Sequence, residues 1–261
     1  MKALLTQSGA KAFYAVIFFN AVIDLGHKIT LQNTVFKVHD GGYQIILIAI
    51  INALILLPYI TLVVPIGRVA NSTPKPTMMK LAAWASLLLT LMITLFYYLG
   101  WFWPAMVMTL LMAVQSAFYS PAKLSYLKIL FGKSRLAESN GLAQAIVIAG
   151  ILLGTVIFSV GFEYLYQLLE SVSPVDNKNA LTATLWPLGL GLISLAILQI
   201  FLVSQIPKKP EALSQPNNLG LQTPRLSIFY LLKDNRLFIP VLGLSLFWAV
   251  GQGMLAAFPA F

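Results

Sequence analysis

The sequence predicts an all-α membrane protein, a bundle of about seven transmembrane helices. Three observations predict it. Of 261 residues, 59% are hydrophobic and 10% are charged, whereas a soluble domain carries about 25% charged residues. The mean hydropathy is +0.83. The apolar residues also gather in stretches close to the ~20 that a helix needs to cross the hydrocarbon core.

Seven stretches qualify: residues 11–35, 43–66, 79–99, 102–119, 141–162, 185–206 and 237–261. The first begins with "AFYAVIFFNAVI" and then carries Asn20, Asp24, His27 and Lys28. It is too long for a secretory signal, lacks a small-residue cleavage pattern and has Asp24 and Lys28 in its core. The second, fourth, sixth and seventh contain Pro58, Pro104, Pro187 and Pro240, which membrane helices tolerate better than soluble ones. The fourth is expected to end near Tyr119–Ser120, because Pro121 disfavours helix at the residue before it. The fifth can be capped by Ser139 or Asn140. Its Gly150 and Gly154, at i and i+4, form the small-xxx-small pattern of close helix packing. Connections are short except at 163–184 and 207–236.

Charge placement gives an orientation. With the N-terminus inside, the cytoplasmic basic residues are Lys2, Lys11, Arg68, Lys75, Lys80, Lys123, Lys128, Lys133, Arg135, Lys208, Lys209, Arg225, Lys233 and Arg236. These are fourteen of the seventeen. Lys37 and Lys178 fall outside, and Lys28 lies in the membrane. The formal charge of +9 is therefore a positive-inside topology signal. It is not a nucleic-acid patch. Cysteine is absent and the histidines are two, His27 and His39. No metal site, cofactor or catalytic residue is expected. The sequence contains no phosphate-binding loop, zinc-protease or serine-hydrolase motif.

The first stretch raises the chemical question. A charge at the membrane centre costs about 2.5–3.5 kcal/mol on insertion scales. Asp24 and Lys28 stand at i and i+4, share a helix face and can pair. Asn20 lies one turn earlier on that face, with His27 beside it. The stripe fits a cavity that binds a polar substrate, and it also fits a structural ion pair between helices. His27 fits packing as well as function. Residues 67–80, "GRVANSTPKPTMMK", read as a cytoplasmic connection between the second and third spans, with Gly67, Asn71 and Lys75 at a cytoplasmic gate. Lys123 sits at the cytoplasmic mouth, as a snorkelling anchor or as a contact for an anionic head group.

"FYSPAKL" at 118–124, followed by "SRLAESNGLAQAIVIAGILLG" at 134–154, resembles the bacterial lysophospholipid transporters of the major facilitator superfamily. "FFNAVIDLGHK", "GRVANS" with Lys75, and "GLSLFW" at 243–248 extend the resemblance through most spans in order. The resemblance implies a twelve-helix, two-bundle fold with a central cavity. On that reading residues 1–206 are the N-terminal six-helix bundle, 207–236 the cytoplasmic loop between halves and 237–261 the first helix of a second bundle that is otherwise missing. It implies flipping of a lysophospholipid such as lysophosphatidylethanolamine to the cytoplasmic leaflet of the bacterial inner membrane for reacylation. Membrane lipids and an acyltransferase or acyl-ACP synthetase are the implied partners. Asp24, Lys28 and Lys123 match family positions. The chain departs from the pattern at Leu25, Asn71 and Leu255. A drug or metabolite exporter of the same superfamily is an alternative, as is a membrane anchor or fragment linked to an acyltransferase.

Overall fold

The computed structural model describes residues 2–171 and 177–207, together with six isolated helical positions between 238 and 250. The chain divides into two compact units, Met1–Lys209 and Pro210–Phe261. The elements of the first unit's described residues are helices joined by short turns: α1 (Lys2–Leu5), α2 (Ala10–Val38), α3 (Gly41–Thr61), α4 (Val63–Ser72), α5 (Lys75–Tyr98), α6 (Phe102–Phe131), α7 (Leu136–Glu170), α8 (Lys178–Ala183) and α9 (Trp186–Ser204). Six of these, α2, α3, α5, α6, α7 and α9, are long and apolar enough to cross a membrane. The chain is thus a multi-pass helical membrane protein. The seventh expected span, and Leu255 within it, fall outside the described residues apart from those six positions.

The outer faces support the same conclusion. Leu81, Trp84 and Leu88 on α5, Leu152, Val156 and Val160 on α7, and Ile197 and Phe201 on α9 are all exposed. Contiguous apolar surface of this kind is rare on soluble monomers and matches lipid. Helices α2 and α6 are the most buried of the six. They run antiparallel, as the pairs Phe13–Tyr126, Asp24–Ser116 and His27–Thr109 show.

Three element boundaries correct the sequence reading. Helix α6 does not stop at Tyr119–Ser120. It continues through Pro121 to Phe131, since proline inside a membrane helix is tolerated where neighbouring groups and local backbone adjustment satisfy the carbonyl it frees. The span expected over 43–66 breaks at Leu62 into α3 and α4. Pro65 falls in the first turn of α4, where a proline ring is accommodated without loss of a helical hydrogen bond. The expected connection at 67–80 is consequently mostly helix, with only Thr73 and Pro74 between α4 and α5. Ser139 and Asn140 do not cap α7, which begins at Leu136. The Ser139 hydroxyl instead donates to the Leu136 carbonyl, and its own carbonyl accepts from the Tyr14 hydroxyl at 3.2 Å.

Small residues set the close approach of α2 and α7. A Cβ on Gly150 would lie 2.9 Å from the Phe18 carbonyl oxygen, and one on Gly154 would lie 3.2 Å from the Val22 Cα. From the other side, a Cβ on Gly26 would run into the Phe158 ring at 2.6 Å. At one end the two helices are clamped by Lys37, which pairs with Glu163 at 3.0 Å and lies 4.1 Å from the Tyr166 ring centroid.

The apolar interior forms two clusters. One surrounds Phe13, Tyr14 and Ile17 with Met79, Tyr126 and Leu130. The other surrounds Ile23, Leu31 and Val35 with Tyr97, Phe102, Phe158 and Phe162. Between them lies a polar layer.

Candidate functional site

The polar layer is built around Asn20, which is 6% exposed. Its amide nitrogen donates to Asp24 Oδ2 at 2.9 Å and lies 3.4 Å from Ser116 Oγ. Its carbonyl oxygen accepts from Gln115 Nε2 at 3.4 Å and Gln199 Nε2 at 3.2 Å. One side chain of α2 therefore bolts together α2, α6 and α9. Gln115 also donates to the Ala82 carbonyl on α5 at 3.0 Å. In a bilayer core no water replaces these bonds, so each polar group must find its partner within the protein.

Asp24 sits at the edge of this layer. The Ser116 hydroxyl and the Asn20 amide both donate to its Oδ2, and its Oδ1 accepts no hydrogen bond from the described residues. Asp24 lines a cavity of about 160 Å³ with Asn20, Leu25, Tyr59, Ser116, Tyr119, Ser120 and Lys123, closed at the side by Val147 and Ile151 of α7. Ser116, Tyr119, Ser120 and Lys123 come from one face of α6, at the i, i+3, i+4 and i+7 spacing of a single helical stripe. The Tyr119 hydroxyl is buried in a side chain only 2% exposed and has no hydrogen-bond partner among the described residues. The Lys123 ammonium lies 5.8 Å from the Tyr119 ring centroid. Both Lys123 and Asp24 line this one cavity. The site thus offers a carboxylate, an ammonium and an unused hydroxyl around an empty volume inside a membrane bundle. That arrangement can hold a small group carrying charges of both signs.

The expected ion pair between Asp24 and Lys28 does not form among the described residues. Lys28 is half-buried, makes no hydrogen bond or ion pair with any of them, and does not line the cavity. The side chains share a helix face, but Asp24 turns to its donors on α2 and α6. His27 points elsewhere. It is 1% exposed, with Nδ1 at 2.8 Å from the Tyr97 hydroxyl and Nε2 at 3.3 Å from Thr109 Oγ1. These bonds tie α2 to α5 and α6 within the second apolar cluster.

The residues expected at one cytoplasmic gate lie on α4, at its end and on α6. Lys123 lines the cavity. Gly67 and Asn71 are exposed on α4, with nothing within 4 Å of a Cβ added at Gly67. Lys75 donates to the Ala70 and Thr73 carbonyls at 2.7 and 3.3 Å, closing the end of α4. Gly150 and Gly154 lie against α2, behind the cavity wall. No group of three or more potential metal ligands occurs among the described residues.

Sequence reasoning missed Tyr59, Gln115, Ser116, Tyr119 and Gln199. Two of them left a signal: Gln115 and Gln199 are amides inside otherwise apolar stretches. Such groups in lipid need partners, and each pointed toward the same layer. Comparison with the models of known protein families gives no match, and comparison with characterised proteins gives none either.

Proposed function

We propose that this chain supplies the first bundle of a secondary transporter for a charged amphiphile in the bacterial inner membrane, with its N-terminus in the cytoplasm. The substrate on this reading is a lysophospholipid such as lysophosphatidylethanolamine, carried to the cytoplasmic leaflet for reacylation. The protein binds and moves the lipid and performs no catalysis on it. One observation carries the proposal: Asp24 and Lys123 face one cavity inside a bundle of membrane-length helices, with the Tyr119 hydroxyl beside them unpartnered among the described residues. A simple membrane anchor gains nothing from a carboxylate that costs about 2.5–3.5 kcal/mol to insert. A head group with an ammonium and a phosphate finds a partner for each. The lipid specificity rests on the sequence resemblance described above, and the movement would be rocking of this bundle against a second one.

The test is uptake of labelled lysophosphatidylethanolamine by cells expressing the two-bundle transporter to which this chain contributes. Asp24→Asn is nearly isosteric, keeps hydrogen-bonding capacity toward Asn20 and Ser116, and removes the charge. A hydrogen bond to a charged group is worth about 1.5–3 kcal/mol, so uptake should fall tenfold or more at matched membrane expression. Uptake at the wild-type rate would refute the proposal.

A further inference from the structure

Lys28 is the charge that the site leaves over. It is a half-buried ammonium in the interior of a membrane-length helix, without a hydrogen bond or ion pair among the described residues. Asp24 is the one acidic residue in the interior of an apolar stretch, and it is held by Asn20 and Ser116. Glu163, on the neighbouring α7, is already paired with Lys37.

The placement of Lys28 is informative. Ser116 fixes the level of Asp24 on α6. Lys28 is one turn further along α2, about 6 Å at 1.5 Å per residue. Lys123 is seven residues beyond Ser116 on the antiparallel α6, about 10 Å along the helix in the opposite direction. The three residues therefore follow in the order Lys28, Asp24, Lys123 along the paired helices α2 and α6.

We infer that Lys28 and Lys123 are two alternative stations for the phosphate of the amphiphile, one on each side of Asp24. The inference rests on the transport reading above. The head group's cation stays on Asp24 while its phosphate passes from one lysine to the other. Lys28 serves the side reached from the C-terminal end of α2, and Lys123 the side reached from the C-terminal end of α6. Neither lysine needs a permanent carboxylate partner, because the ligand brings the anion. Such an exchange lets a doubly charged head group move through the bundle without shedding both contacts at once.

The experiment is equilibrium binding to the full 261-residue chain in nanodiscs. The probes are lysophosphatidylethanolamine and, as a phosphate-free control, a monoacylglycerol of the same chain length. Association constants of alternative stations add, so losing one of two similar stations should weaken lysophosphatidylethanolamine binding only about twofold. Lys28→Gln and Lys123→Gln should each show this small loss. The double variant should lose tenfold or more, as expected for a missing charge-assisted contact, and should no longer prefer the phospholipid. Monoacylglycerol binding should be unchanged throughout, which reports intact folding, and Lys28→Arg with Lys123→Arg should retain the preference. Loss of the whole preference in one single variant would mean one station and overturn the inference. So would a double variant that still prefers the phospholipid, or a Lys28→Gln variant that melts earlier with unchanged binding, which would assign Lys28 to a structural pair. A wild-type chain without any preference would overturn the transport reading and this inference with it.

Discussion

Replacing Gly150 by alanine tests whether the α2–α7 approach that positions Asp24 depends on glycine. The added Cβ would lie 2.9 Å from the Phe18 carbonyl oxygen and 3.0 Å from the Ala21 Cβ, where ordinary contact begins at 3.4 Å. Neither atom can rotate away, since one belongs to the α2 backbone and the other is fixed to it. The two helices must part by about half an ångström locally, a gap that forfeits a quarter or more of each dispersion contact along the seam. Overpacking of this kind costs about 1–3 kcal/mol. Alanine also gains about 1 kcal/mol of helix propensity over glycine, so the net effect alone would be ambiguous. Gly67→Ala removes the ambiguity. Gly67 is a helical glycine in open space, and its substitution carries the propensity gain without the clash. The difference between the two variants isolates the packing term, and Gly150→Ala should be less stable than Gly67→Ala by about 1–3 kcal/mol. Thermal unfolding in one detergent, followed by tryptophan fluorescence, measures it. Equal melting temperatures would refute the argument that close backbone contact holds α2 against α7.

Asn20→Leu should destabilise by about 1–3 kcal/mol through the buried Gln199 amide, which it leaves bare, while Gln115 keeps the Ala82 carbonyl and Asp24 keeps Ser116; a melting temperature equal to wild type would show the layer to be dispensable. The His39 imidazole, at the loop end of α2, is held below the usual histidine range by burial and then by the Lys178 ammonium, with Asp40 pulling the other way. Its NMR titration midpoint should lie below about 6.5. The corresponding stability is complete above that pH and falls off as the pH drops toward the folded-state midpoint, though solvent screening keeps it small. Because cysteine is absent from the sequence, single cysteines report topology cleanly. One at Lys75 should resist an impermeant thiol reagent in intact cells while one at Lys178 reacts, and the opposite pattern would invert the orientation.

The six spans of the first unit were legible because lipid demands long apolar runs, and no competing structure satisfies the backbone there. Their ends were less legible. Pro121 reads as a stop in water but is carried inside α6, while Pro65, unremarkable in an apolar run, coincides with the break at Leu62. The short helix α8 was hidden in a polar connection, where its Asn177 cap is an ordinary loop residue until its side chain is seen accepting from the Asn179 backbone amide at 2.9 Å. At the site, Asn20, Asp24 and Lys123 stood out as polar groups in or beside apolar runs. Helix periodicity placed Lys28 beside Asp24, but periodicity gives a face and not a partner. One donor to Asp24, Asn20, is on the same helix, but the other, Ser116, comes from α6, ninety-two positions away. Tyr59 and Tyr119 were illegible for the same reason, since tyrosine is ordinary in membrane helices and only tertiary adjacency makes it cavity lining.

The most direct measurement is photocrosslinking of the membrane-embedded chain with a lysophosphatidylethanolamine bearing a diazirine beside its glycerol backbone, with adducts located by mass spectrometry. The account predicts adducts on cavity residues, Asp24 and Tyr119 foremost, that disappear when unlabelled lysophosphatidylethanolamine is added in excess. Adducts confined to lipid-facing positions such as Leu88, Val156, Ile197 and Phe201, and insensitive to that competitor, would contradict a head-group site at Asp24.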